Sequence, residues 1–178
     1  MQYALAAAAV GVAAGYATGG RLRHVGGHPV RAWPLIAVGA LLQLPGRGNV
    51  TIVLLSLVCL LAFALANLHL VGVGVIAVGL GLNALVIAAN GAMPVRPAAA
   101  ARVGLGPHEL GGGRRLERPG DRLTGLGDGI PARPVHQVLS FGDLVVAVGT
   151  ADVVAHLMRR RRTRLASGAT VKPAAARG

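Results

Sequence analysis

Apolar residues in this chain come in unbroken blocks rather than alternating with polar ones. The longest block lies between Arg47 and Arg96, where there is no Asp, Glu, Lys or Arg. Val50 to Ala89 is about 40 residues, or ~60 Å as helix, twice the ~30 Å hydrocarbon core of a bilayer. A soluble core helix has no use for that length. The polar knot Asn67-Leu68-His69 marks where the chain turns, so the block predicts two membrane crossings, 50–66 and 70–89. Asn90-Gly91-Ala92-Met93-Pro94 stops the second of them, with Gly and Pro as helix breakers in series.

Three more apolar runs flank this pair. The first, 3–18, has no basic residue before it and is followed by Arg21 and Arg23, the order of an uncleaved anchor rather than a signal peptide. After a Gly-rich basic linker comes a second run, 30–44. It opens on Trp33 and Pro34, an interface aromatic and a first-turn proline, and is short enough that it either spans with local thinning or inserts halfway. Pro45 to Asn49 reads as a turn. The last run, 141–158, ends at Arg159-Arg160-Arg161-Arg162-Thr163-Arg164 and an Ala/Gly/Pro tail to residue 178, read as disordered.

Between the fourth and fifth runs lies a hydrophilic segment, 91–140. Its first half reads as loop apart from a short helix over Pro97 to Val103. Its last part, Leu123 to Leu139, reads as an ordered loop packed on the membrane face. The predicted fold class is therefore an all-α integral membrane protein of about five transmembrane helices with one long extracytoplasmic loop.

Composition agrees with that environment: 53% of the chain is hydrophobic and only 13% is charged, against roughly 25% in soluble domains. The formal net charge is +12, and Lys172 is the only lysine among eighteen basic residues. Arginines without interleaved aromatics or a reader motif do not suggest nucleic-acid binding. They suggest topology and anionic lipid head groups, with Arg159 to Arg164 as the principal contact. Five spans with the N-terminus outside place Arg21, Arg23, Arg31 and the basic tail in the cytoplasm, and the dense cluster against the fifth span favours this orientation. The single cysteine, Cys59, excludes an intramolecular disulfide and reads as a packing residue.

Candidate chemistry is sparse. Gly72, Gly79, Asn83 and Asn90 share one face of the fourth run, which reads as helix packing with interhelical amide bonds or, less favoured, as a polar path. Gly11, Gly15 and Gly19 form a small-residue ridge on the first run, read as packing within the bundle rather than between copies. In the fifth run, Asp152 and His156 are four apart and can hydrogen-bond, with Asp143 near the outer end. Ionisable groups within a span are candidates for proton or ion handling, or for pairing with a snorkelling Arg159. Gly125-Leu126-Gly127-Asp128 matches the Gly-x-Gly-Asp string of intramembrane aspartyl proteases. Its Pro/Gly-rich setting instead suggests a tight turn, with Asp128-Gly129 as turn residues and no matching context for a partner aspartate. No metal set, nucleotide loop or cofactor motif stands out, and the loop histidines His24, His28, His108 and His136 are scattered.

Four short pieces, in order, carry a resemblance. They are Gly19-Gly20-Arg21-Leu22, Asn90-Gly91-Ala92-Met93-Pro94-Val95, Leu126-Gly127-Asp128-Gly129-Ile130-Pro131 and Ser140-Phe141-Gly142-Asp143. Together they resemble a family of small multi-pass membrane proteins of actinobacteria catalogued only as a domain of unknown function. Ala92 stands where a second Gly is expected, and the Arg-rich middle of the loop is individual to this chain. The resemblance implies a bacterial plasma-membrane protein and brings no activity. The expectation is a non-enzymatic structural or partner-binding component, with a membrane-protein partner or homo-oligomer as its company. The alternative is a small transporter or proton-coupled component using Asp143, Asp152, His156, Asn83 and Asn90; an intramembrane protease is the least favoured.

Overall fold

The computed structural model describes residues 2–27, 29–43 and 49–159. His28, most of the turn at 45–49 and the basic tail beyond Arg159 lie outside the described residues. The long helices are α1 (Gln2–Ala17), α2 (Trp33–Leu42), α3 (Val50–Ala66), α4 (Val73–Asn90) and α6 (Phe141–Leu157), with a short α5 at Pro97–Arg102. Among the described residues, α4 alone is both long and apolar enough to cross a membrane; α1, α2 and α3 are shorter apolar helices.

Local chemistry sets the helix ends. Asn49 caps α3, its side chain accepting from the Thr51 amide at 2.8 Å. Gly91, in the left-handed region at φ 67°, ends α4. Ser140 caps α6, and Asp143 reaches back to the Ser140 amide, a reciprocal capping box. The second apolar run is corrected to ten helical residues: Ala32 at φ 52° starts the helix only at Trp33.

The main helix contacts are α1 with α6, α6 with α4, α4 with α3 and α3 with α2. The five helices thus stand in a row in the order α1-α6-α4-α3-α2. Gly11 lies against Ala151 and Val154, and Gly15 against Met158, so α1 runs parallel to α6. Gly79 meets Gly142 and Val146 while Gly72 meets Gly149 and Val153, so α4 runs antiparallel to α6. Ser56 Oγ donates to the Gly39 carbonyl at 2.7 Å, and Asn67 exchanges 2.8 Å bonds with the Arg31 backbone, making α2 and α3 antiparallel. The ridge read on α1 needs one correction. Gly19 lies beyond the helix end at φ 79° with no atom near its missing Cβ, so only Gly11 and Gly15 pack.

The all-helical expectation also needs correction: residues 91–140 hold a four-stranded sheet. Its strands are β1 (Met93–Val95), β2 (Arg114–Leu116), β3 (Asp128–Ala132) and β4 (Gln137–Ser140), in the order β2-β1-β3-β4. β1 pairs in parallel with β2 and, at Val95 opposite Asp128, with β3; β3 and β4 are antiparallel with a bulge between Asp128 and Ile130. Pro94 sits in an inner strand because the bonds towards β2 involve Met93 and Val95, and a proline there breaks neither. The sheet caps the end of the row where α4 finishes and α6 begins. It has its own core of Val95, Ala99, Ala100, Val103 and Val138, while Met93 packs into the helix core with Leu57, Ala64, Leu80, Val86 and Ile87. β1 therefore joins the two cores.

Candidate functional site

The polar groups converge where the sheet meets α4 and α6. Asn83, on the α4 face that packs against α6, donates from Nδ2 to Asp143 Oδ1 at 2.9 Å. Ser140 Oγ donates to Asn83 Oδ1 at 2.8 Å, and the Asp143 amide donates to Ser140 Oγ at 2.9 Å. The three residues close a ring, and all three are buried. Gly142 makes this possible, because a Cβ there would collide with Asn83 Oδ1 and with the Gly79 carbonyl. The Gly-Asn face thus becomes a tight α4–α6 contact at Gly72, Gly79 and Asn83.

Asp128 lies next to this ring, not in a surface turn as the Gly-x-Gly-Asp string suggested. Thr124–Leu126 makes the turn, and Asp128 opens β3 opposite Ser140 with only 1% of its surface exposed. Arg114 reaches across β1 to place Nε 2.9 Å from Asp128 Oδ2, but neither Asp128 oxygen receives an aligned hydrogen bond among the described residues. Burial pushes the carboxyl up to about 7, Arg114 opposes the shift, and the nearby Asp143 adds to it. Two aspartates that are fifteen residues apart in the chain thus act on each other in one buried pocket of charge.

Asn90 serves the sheet end rather than a helix seam. Its side chain donates to the Arg122 carbonyl and accepts from the Arg122 amide, at 2.8 and 2.7 Å. Beside it, Arg115 forks onto Asp121 at 2.5 and 2.7 Å and bonds the Asn90 carbonyl. The Arg115 hydrogen bonds hold the Asp121 carboxyl down to about 2, so this fork stays charged through the mildly acid range.

At the opposite end of the row, Asp152 and His156 do pair, Oδ1 to Nδ1 at 3.0 Å, with both side chains partly exposed. Arg159 lies 3.3 Å from His156 Nε2 rather than on Asp152. Along α6, Asp152 stands nine residues beyond Asp143, a rise of about 14 Å, so the two pairs do not meet. Among the described residues, no group of three or more His, Cys, Asp or Glu is placed to hold a metal.

A model described as a family of unknown function, DUF5317, matches residues 30–155. The chain belongs to that family. The match covers more than two thirds of the chain and takes in Asn83, Asn90, Asp128, Asp143 and Asp152; His156 falls just beyond it, and so do α1 and the Gly19 to Leu22 piece. No curated protein and no solved structure matches the chain. Sequence reasoning named Asn83, Asp128 and Asp143 but gave no role to Arg114, which faces Asp128, or to Ser140, which bonds both Asn83 and Asp143. The Ser140-x-x-Asp143 capping-box spacing is the one local signal that could have found part of it.

Proposed function

We propose that this chain is a multi-pass protein of the bacterial plasma membrane, with five helices crossing, the sheet outside and the C-terminus in the cytoplasm. The observation that carries the reading is the apolar surface of the helix row. Leu55 (53%), Val58 (59%), Val78 (59%) and Val148 (65%) are exposed on three adjacent helices, along with Leu65 and Leu85. A water-soluble protein rarely exposes so continuous an apolar belt, whereas hydrocarbon requires one. The alternating helix directions support the same reading, since each successive long helix returns to the opposite end of the row. So does charge: among the described residues, Arg21, Arg23, Arg31 and Arg159 gather at the end away from the sheet, with Asp152 as the only acid in that half. Anionic head groups would meet Arg159 and the arginines that follow it.

Within the membrane, the role we infer is structural or partner-binding. The α4–α6 seam is filled by its glycines and by the Asn83 ring, which favours packing over a solute path. The test is extraction of native-expressed membranes with alkaline carbonate. The protein should stay in the pellet and be released only by detergent, and cross-linking in the same membranes should recover one reproducible companion. Release by carbonate alone would overturn the membrane reading; cross-links to bulk membrane protein only would overturn the partner role.

A further inference from the structure

The joint between sheet and helix row contains a buried carboxyl, Asp128, that the proposed function does not use. We propose that Asp128 is a proton-binding site that seals the sheet onto the helix row: with the proton bound the joint closes dry, and loss of the proton opens it to water.

The geometry carries this. Asp128 holds both β1 and β4 in place through its backbone: its carbonyl accepts from the Arg96 amide at 2.8 Å, and it pairs with Ser140, the cap of α6. Its carboxyl is enclosed, and among the described residues neither oxygen receives an aligned hydrogen bond, with Arg114 Nε 2.9 Å from Oδ2. The charged groups facing it are Arg114 from β2 and Asp143 from α6; the Arg96 guanidinium lies beside Gly129, on an exposed residue. The turn at Thr124–Leu126 and strand β4 bring no charged side chain, and Arg102 of α5 is exposed at that helix's far end. One guanidinium at contact distance does not offset burial beside a second aspartate, and the closed joint holds its proton up to about pH 7. Opened to water, the carboxyl returns towards its ordinary value of 3.8.

The sign follows from linkage. The closed form binds the proton more tightly than the open form, so acid favours closure. Between the two pKa values the open form is ionised and the closed form protonated, so the open fraction rises up to about tenfold per pH unit. Above the closed-form value both are ionised and the open fraction levels off.

Hydrogen exchange of the full chain in detergent, corrected for the intrinsic pH dependence, reads this at the buried Asp143 amide, which donates to Ser140 Oγ where the sheet meets α6. Protection should fall as pH rises from about 5 to 7 and then flatten. Asp128→Asn has no proton to lose and should hold the acid-level protection at every pH. Arg114→Gln removes the opposing cation and should move the flattening point to higher pH. Protection that is the same at every pH in wild type, or that rises with pH, would overturn the proposal. If Asp128→Asn does not fold, Arg114→Gln decides: an unmoved or lowered flattening point counts against it.

Discussion

Replacing Gly79 by valine is expected to break the packing of α4 on α6, while the same change at Gly81, two residues away, is expected to be tolerated. A Cβ at Gly79 would sit 2.6 Å from the Gly142 carbonyl oxygen and 2.8 Å from the Val146 amide nitrogen, both backbone atoms that cannot swing aside. A Cβ at Gly81 meets nothing within 4 Å. The two helices would have to separate, giving up close contact along Gly72, Gly79, Gly142 and Gly149 and pulling Asn83 away from Asp143. Overpacking of this kind costs about 1–3 kcal/mol and sometimes more. Where association rests on close packing rather than on the hydrophobic effect, little compensates for it. Thermal unfolding in detergent, followed by loss of the monodisperse species, is the readout. Equal melting of the two variants would mean that the α4–α6 contact is not what holds the row together.

The second large effect is expected at Asn83. Changing it to leucine keeps the branching at Cγ but removes the donor to Asp143 Oδ1 and the acceptor for Ser140 Oγ at once. Losing hydrogen bonds among buried polar groups costs about 1–3 kcal/mol per group left unsatisfied. The loss falls at the start of α6, where the capping box also depends on Ser140 and Asp143. Asn83→Leu should therefore lower the melting temperature and loosen the first turn of α6. Asn83→Asp keeps the Oδ acceptor but brings a second carboxylate against Asp143 and should be as damaging. Asn90→Leu, by contrast, should free the Arg122 segment while leaving the α4–α6 contact intact.

The helices were legible in the sequence because their signal is local. An uninterrupted apolar block, a capping asparagine at Asn49 and the breakers at Gly91 and Pro94 all lie within a few residues of what they determine. The sheet was not. Its strands are three to five residues long, they contain Pro94, Gly129 and Pro131, and Arg114 and Arg115 stand where alternation would put an apolar residue. Such strands have no period to read; they exist because β1 is held between β2 and β3, both more than fifteen residues away in the chain. The site had the same difficulty. Asp128 reads as a turn residue because its flanks are glycines, yet its burial is produced by Val95, Arg114 and Ser140, none of them adjacent to it in sequence. Asp152 and His156 were visible as a pair because four residues on a helix is a local relation.

Placing single thiols at the two ends of the row tests the central claim most directly. In a Cys59→Ala background, Gly125→Cys marks the sheet end and Gly26→Cys the basic end; a side chain at either position meets no neighbouring atom within 4 Å. With the helices across the membrane, a membrane-impermeant maleimide added to intact cells should label the Gly125→Cys protein and reach the Gly26→Cys protein only after lysis. Labelling of both positions from the same side of the membrane would contradict the account.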